Sequence, residues 1–273
     1  MSTDTTAPTP GTGGQQPPAG IFDVSGTPSV PFTRLVSVEL RKALDTRAGR
    51  WFTAAIVALC LVVVVIYAFA APEGATDYSD VIGVAGAVLG YFLPILLILM
   101  VTSEWSQRTG LTTFTLEPRR GRVVGAKFCA GLILGAALIA VAALVAAVGT
   151  VLGGGEWTLT GDVLIKGFLV ANLIGILTGF AIGMLLMNSA AAIVTYFIYS
   201  LVLPIAVGIL SAFQEWFADL APWIEFNTAQ GLLFQNEGAP SGELVSQLLV
   251  SGTIWLVVPF VIGLLRLLRA EPK

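Results

Sequence analysis

A chain that carries out covalent chemistry needs a nucleophile with its base, paired carboxylates or metal ligands, and these residue types are sparse here. The 273 residues include no histidine, which removes imidazole general-base catalysis, haem ligation by imidazole and the usual zinc sites. The two cysteines, Cys60 and Cys129, each lie inside an apolar run and read as small apolar side chains rather than a disulfide or metal pair. No acidic pair falls within an apolar run, so hydrolysis inside a bilayer would lack its carboxylates. The nearest approach to a phosphate-binding loop is Gly121 to Phe128. Such a loop needs Gly-Lys-Ser/Thr in succession, so that backbone N–H groups cradle phosphates and the lysine reaches them. Ala126 separates Gly125 from Lys127, and a phenylalanine follows. The expectation is therefore a chain with no catalytic residue, no cofactor or metal of its own and no nucleic-acid partner.

What remains is one polar, basic segment, residues 103–127, lying between two long apolar runs. It is too long for a minimal turn and too polar to enter lipid. Trp105, Leu111, Phe114 and Leu116 give a short helix an apolar contact patch, while Pro118 and Gly121 punctuate its far end. Arg119, Arg120 and Arg122 enforce membrane topology, but that leaves the preceding residues unexplained, and a docking role is the competing reading.

The elements around this segment are set by composition. Hydrophobic residues make up 56% of the chain and charged residues 11%, against roughly 25% charged in an ordinary globular domain. Mean hydropathy is +0.87. Apolar runs near the roughly 20 residues that cross a hydrocarbon core predict an all-α membrane protein, since only helices fit runs of this length without strand alternation. The spans fall at about 51–70, 81–102, 128–152, 163–187, 190–212 and 244–268 within a 51–268 membrane domain, with Pro94, Pro204 and Pro259 as kink sites. Residues 1–30, rich in Thr, Pro and Gly, read as a disordered cytoplasmic tail and not a signal peptide. Residues 31–50 read as an amphipathic helix, with Phe32, Leu35, Val36, Leu40, Ala43 and Leu44 on one stripe and Arg34, Arg41, Lys42 and Asp45 elsewhere. Glu39 interrupts the stripe. Such a helix is expected in the headgroup layer, and residues 269–273 form a second cytoplasmic tail.

Orientation follows from the basic residues. Arg34, Arg41, Lys42, Arg47 and Arg50 precede span one; Arg108, Arg119, Arg120, Arg122 and Lys127 separate spans two and three; Arg266, Arg269 and Lys273 end the chain. Across six crossings these all fall on one side, and Lys166, at the start of span four, is the single exception among 14; its stem can snorkel outward. The opposite loops are acidic. The positive-inside rule then places both termini in the cytoplasm.

Two further patterns stand out. Gly175, Gly179 and Gly183 recur every four residues in span four, which puts them on one helix face and predicts a close packing seam, within the chain or between two copies. In the connection 213–243, Phe213, Trp216, Phe217 and Trp223 fall at helical spacing among polar residues, which suits a segment at interfacial depth lying on the membrane. No ionisable group lies deep in a span, which argues against an ion-coupled carrier.

In the 103–127 segment the chain resembles permease subunits of the ABC-2 transporter family, especially actinobacterial ones. The resemblance is carried by Glu104, Trp105, Gly110, Leu116, Pro118, Arg119 or Arg120, and Lys127. The six-span layout, the Val38-Glu39-Leu40-Arg41-Lys42 stretch and the long connection before the last span extend it over residues 32–268. Gly110-Leu111-Thr112 departs from the family's Gly-Thr pair. The resemblance implies export across a bacterial plasma membrane, driven by ATP on a separate ABC ATP-binding subunit, with residues 103–122 as a coupling element and a second permease copy completing the pathway. It further implies that Glu104 and Arg108 make polar contacts to that subunit, with Trp105 nearby and Arg119 and Arg120 at the edge. For the connection 213–243 it implies that the segment gates an exit instead of only lying on the membrane. A membrane anchor or immunity-type protein, acting by partner binding without transport, is the alternative.

Overall fold

The structure is a computed structural model that describes residues 30–72, 74–106, 119–235 and 238–269. Residues 1–29 of the expected tail, the terminal 270–273 and most of the docking segment, 107–118, lie outside the described residues. The described elements are all helical. They are α1 (Phe32–Asp45), α2 (Arg47–Ala70), α3 (Tyr78–Ser106), α4 (Arg120–Gly153), α5 (Val163–Leu186), α6 (Ser189–Phe213), α7 (Glu215–Ile224), α8 (Phe226–Gln235) and α9 (Gly242–Arg269). Six of them, α2 to α6 and α9, are long and apolar enough to cross a membrane. Below, the end of the bundle that carries the arginines is the basic end and the other the acidic end.

The largest boundary difference is at α4, which starts at Arg120 and not near residue 128. The polar turn from Arg120 to Lys127 is helical because α1 covers it. The Phe32 ring lies 3.6 Å from where a Cβ on Gly125 would stand, and Val36, Leu40 and Ala43 pack against the main core. The middle of the apolar stripe of α1 is therefore used on protein, whereas Phe32 and Leu44 at its ends and Arg34 and Arg41 are exposed. Thr46, in extended conformation, joins α1 to α2 and caps the latter by accepting from Gly49 N at 3.0 Å.

At the centre stands α3, whose Val81, Ile82, Ala85, Leu89, Leu93, Leu97, Ile98 and Val101 are all within 1% of full burial. The glycine seam of α5 lies against it, inside one chain. A Cβ on Gly175 would meet Pro94 Cγ at 3.3 Å, one on Gly179 would meet Pro94 Cα at 2.6 Å, and one on Gly183 would meet Ile98 Cα at 3.3 Å. Only the absent side chain at Gly179 allows that approach of two backbones.

The three span prolines have separate consequences. Pro94 lacks the N–H that would bond the carbonyl four residues earlier, and the freed Gly90 carbonyl accepts instead from Tyr196 Oη at 2.9 Å. Pro204 and Pro259 each follow a π-helical turn, Ile198–Val202 and Thr253–Val257, the local widening by which a membrane helix accommodates a missing donor. The third π-helical turn, Val163–Val170, contains no proline.

The acidic end is sewn by its loops. Asp77 accepts from Glu156 N at 2.9 Å and from Thr158 Oγ1 at 3.0 Å. Lys166 is paired with Asp162 at 3.3 Å and also donates to the Gly238 carbonyl, so the one cation at this end is held by an acid.

The Gly179 seam yields the first prediction. Gly179→Ala lowers the thermal stability of the detergent-solubilised protein by about 1–3 kcal/mol, the usual cost of overpacking, because the obstacle is backbone. Gly83→Ala, where a Cβ has open space, leaves stability unchanged or raised; equal losses from both variants in thermal unfolding would contradict the seam.

Candidate functional site at the basic end

Four charged side chains meet at the basic end of the bundle. Glu39 and Lys42 sit one turn apart on α1, Glu104 is in the last turn of α3, and Lys127 is two turns into α4. Lys127 Nζ is 2.6 Å from Glu39 Oε2 and 3.4 Å from Glu104 Oε1. Lys42 Nζ is 2.8 Å from Glu39 Oε1 and 3.2 Å from the same Glu104 oxygen. Two carboxylates and two ammonium groups thus alternate around a ring, and their formal charges cancel.

Burial makes this arrangement consequential. Glu39, Glu104 and Lys127 are 4%, 2% and 3% exposed, and lone charges at such sites cost several kcal/mol each in lost solvation. Only mutual pairing makes the site tenable. Burial pushes the Glu39 carboxyl up, but Lys127 and Lys42 together outweigh it and hold the group below its ordinary range. Burial likewise pushes Lys42 down, and Glu39 and Glu104 reverse that, leaving it above its ordinary range. Glu104 Oε2 has no hydrogen-bond partner among the described residues.

Beside this cluster lies a cavity of about 240 Å³ between α1, the start of α2 and α3, with Lys42, Thr46, Phe52, Ser103 and Ser189 on its walls. Ser189, from the turn between α5 and α6, shares a 2.6 Å hydrogen bond with Thr102 of α3. That turn needs Met187 in the left-handed region, at φ 49°, with Asn188 capping α6 by accepting from Ala191 N at 3.0 Å.

The residues singled out in the sequence are distributed as follows. Glu104 points into the bundle and spends its carboxylate on lysines of this chain, so direct contact with a partner subunit is not the role its position supports. Trp105 packs against the main core. Arg108 lies outside the described residues. Arg119 is exposed at the start of α4. Arg120 Nη1 donates at 2.7 Å to the Leu267 carbonyl in the last turn of α9, where a cation complements both the open carbonyls and the helix dipole. Arg266 does the same at 2.8 Å for Leu185 at the end of α5. Thus Arg120 closes the bundle, a role that its place in the basic run concealed.

At the acidic end, Phe213 and Trp216 are 78% and 63% exposed, and Trp216 meets Phe217 edge-on with centroids 5.6 Å apart. Trp223 is half-buried. Phe213 and Trp216 thus face away from the bundle, whereas Phe217 and Trp223 are partly covered. The element inserted into it is α8, which the sequence reading did not separate from the connection. Its placement depends on Glu225, 1% exposed, which accepts from Asn227 N at 3.0 Å, Asn227 Nδ2 at 2.8 Å, Thr228 N at 2.6 Å and Thr228 Oγ1 at 2.7 Å. A carboxylate at a helix N-terminus with four donors is stabilised without a cation. Asn227 Nδ2 also donates to the Tyr199 carbonyl at 3.2 Å, and Trp255 Nε1 to the Ile224 carbonyl at 2.8 Å, fastening α7 and α8 to α6 and α9.

Glu39 and Lys127 are the functional residues whose roles sequence reasoning missed. Each was visible as an anomaly, an acid on an apolar stripe and a lysine at the mouth of an apolar run. Nothing in sequence spacing says that two anomalies 88 positions apart neutralise each other.

Lys127→Met alone leaves two carboxylates facing one ammonium and destabilises the solubilised protein by about 3–5 kcal/mol. Lys127→Met with Glu104→Gln restores charge balance and recovers a substantial part of that loss, as a double-mutant cycle in thermal unfolding checks. The pH dependence has two edges. Glu39 contributes stability that is present above its unfolded value, near 4.5, and is lost as pH falls through the lower folded value. Lys42 contributes stability that is present below its unfolded value, near 10.5, and is lost as pH rises through the higher folded value. Thermal stability is therefore flat between these limits, and the Glu39→Gln variant lacks the acid edge.

No protein-family model matches this chain, and no curated protein matches it.

Proposed function

We propose that this chain is the membrane-spanning subunit of an ATP-driven exporter of the ABC-2 type in a bacterial plasma membrane, with its basic end and both termini in the cytoplasm. The observation that carries the reading is the neutralised four-charge ring placed at the roots of the 107–118 segment. Glu104 stands one turn before that segment and Lys127 two turns after Arg120, so any force on the segment arrives at a rigid joint of α1, α3 and α4. From there α3, the central helix, meets α5 along the glycine seam. A soluble ATPase subunit gripping the segment would thereby move packed spans rather than a slack loop.

In this reading ATP is bound by the partner subunit, and a second copy of the permease or a homologous one encloses the pathway. The ring itself is a transmission element: Glu104 contacts the partner only through what it braces, and α1 follows α3 and α4 because its two charges are shared with theirs. The segregation of arginines to the cytoplasmic end supports the orientation. Substituted cysteine at Arg119 is labelled by a membrane-impermeant reagent only after the cells are opened.

The decisive experiment is recovery of the tagged chain from its native membrane. A nucleotide-binding subunit at stoichiometric level is the expected result, and its consistent absence favours an anchor that works without ATP. In the recovered complex, Arg108→Glu lowers stimulated ATP hydrolysis by about tenfold while leaving insertion and thermal stability intact; unchanged hydrolysis removes residues 107–118 as the coupling element.

A further inference from the structure

A second cavity, about 340 Å³ in volume, opens near the acidic end between α3, α5, α6 and α8, within the range of small-molecule sites. Its polar wall is formed by Thr178, Tyr196, Tyr199, Ser200, Asn227 and Gln230, and among the described residues no Asp, Glu, Lys or Arg lines it. Opposite stand glycines of α3. A Cβ on Gly83 or Gly90 would find open space. Tyr91 and Phe234, 44% and 38% exposed, stand on the same lining and border the lipid-facing surface.

Three buried polar atoms in or beside this cavity have no hydrogen-bond partner among the described residues: Tyr199 Oη and Ser200 Oγ on its lining, and Oδ1 of the neighbouring Asn172. Tyr199 is 4% exposed and Asn172 fully buried. Tyr199 Oη lies beside Thr178 and Gln230, but those side chains donate back to their own helices, Thr178 Oγ1 to the Ile174 carbonyl at 2.9 Å and Gln230 Nε2 to the Phe226 carbonyl at 3.2 Å. Asn172 Nδ2 donates to the Phe168 carbonyl at 2.8 Å and sits 3.5 Å from a Cβ built on Gly86, whose own face lines the cavity. Buried polar groups are normally satisfied, and an exception in a cavity marks a place for a partner. Two of the three π-helical turns also contribute to the wall, through Gly167 and through Tyr199 and Ser200; such turns recur at functional sites.

We infer that this cavity binds the uncharged, hydroxyl-rich head group of an amphiphile whose apolar tail remains in the lipid. Hydroxyls and amides supply both donors and acceptors, tyrosine rings offer flat apolar faces to a sugar-like ring, and the absence of any charged group disfavours an ionic head group by its uncompensated loss of solvation. The half-open mouth lets the tail stay outside. The second α8 turn, carrying Gln230 and Phe234, forms the cover, and Glu225 fixes that cover in place.

The test needs neither ATP nor a partner subunit, so its outcome is separate from the transporter reading. The full chain in lipid nanodiscs is titrated with octyl β-D-glucoside below its micelle-forming concentration, and with octyl sulfate, which has the same tail and an ionic head. Binding is followed by thermal shift and by tryptophan fluorescence, since Trp255 stacks on Tyr199 with centroids 5.0 Å apart. The glucoside gives a saturable signal and a raised melting temperature, and the sulfate does not. Tyr199→Phe weakens glucoside binding by about fivefold or more while the unliganded melting temperature stays the same or rises, because the variant deletes an unpaired buried hydroxyl. Gly90→Leu fills the cavity and abolishes saturable binding with helicity retained. Equal responses to both amphiphiles, or glucoside affinity unaltered in both variants, would overturn the assignment.

Discussion

Glu39, Lys42, Glu104 and Lys127 come from three helices and meet in one small volume, three of them buried and Lys42 partly exposed. Each of the three buried groups alone would be untenable there, since an unpaired buried ion costs several kcal/mol. Together they cancel, and the requirement that they cancel fixes how the helices sit. A one-residue rotation of α1 would carry Glu39 off Lys127 and Lys42 off Glu104, and a slide of α4 along α3 would separate Lys127 from Glu104. Hydrophobic packing alone tolerates such shifts far better, because apolar contacts are interchangeable and ion pairs are not. The ring is therefore best understood as a register device whose gain is geometric uniqueness more than raw stability.

From this joint the remaining architecture follows outward. With α4 held by Lys127, its first turn can begin at Arg120, and Arg120 then reaches the Leu267 carbonyl and closes α9 onto the bundle. With α3 held by Glu104, its long apolar body becomes the post against which α5 seats its glycine face. The Gly179 contact with the Pro94 backbone and the Tyr196 bond to the freed Gly90 carbonyl both lie on that post. One proline thus shapes two interfaces, by presenting a close surface on one side and an open acceptor on the other. The path from the basic end through α3 to the cavity under α8 is continuous protein contact.

The acidic end is organised by different physics. There carboxylates are satisfied by local backbone and side-chain donors, as with Asp77 across two loops and Glu225 at the start of α8, and Lys166 is paired with Asp162. Two of the three π-helical turns lie beside prolines, in α6 and α9. The unpaired Tyr199 hydroxyl sits in one such turn. A polar group held without a partner costs about 1–3 kcal/mol, so the structure carries a local deficit at the place where a ligand would remove it.

Six helices long and apolar enough to cross a membrane were legible in the sequence, because roughly 20 consecutive apolar residues is a local, one-dimensional pattern. The distribution of arginines was legible for the same reason, as was the glycine face of span four, since a four-residue spacing determines a helix side without reference to any neighbour. Which helix that face meets was not written there, nor was the destination of Glu39, Glu104, Lys127 and Arg120. Those side chains are anomalies in their own segments, and their meaning depends on charges and carbonyls brought near from distant parts of the chain. The amphipathic stripe of α1 likewise specified that something apolar must cover it, and protein does so in part where the facing surface also supplies one lysine and one carboxylate, Lys127 and Glu104. Pairing across a fold is a property of three-dimensional proximity, so only the tertiary structure could convert those isolated oddities into one neutral joint.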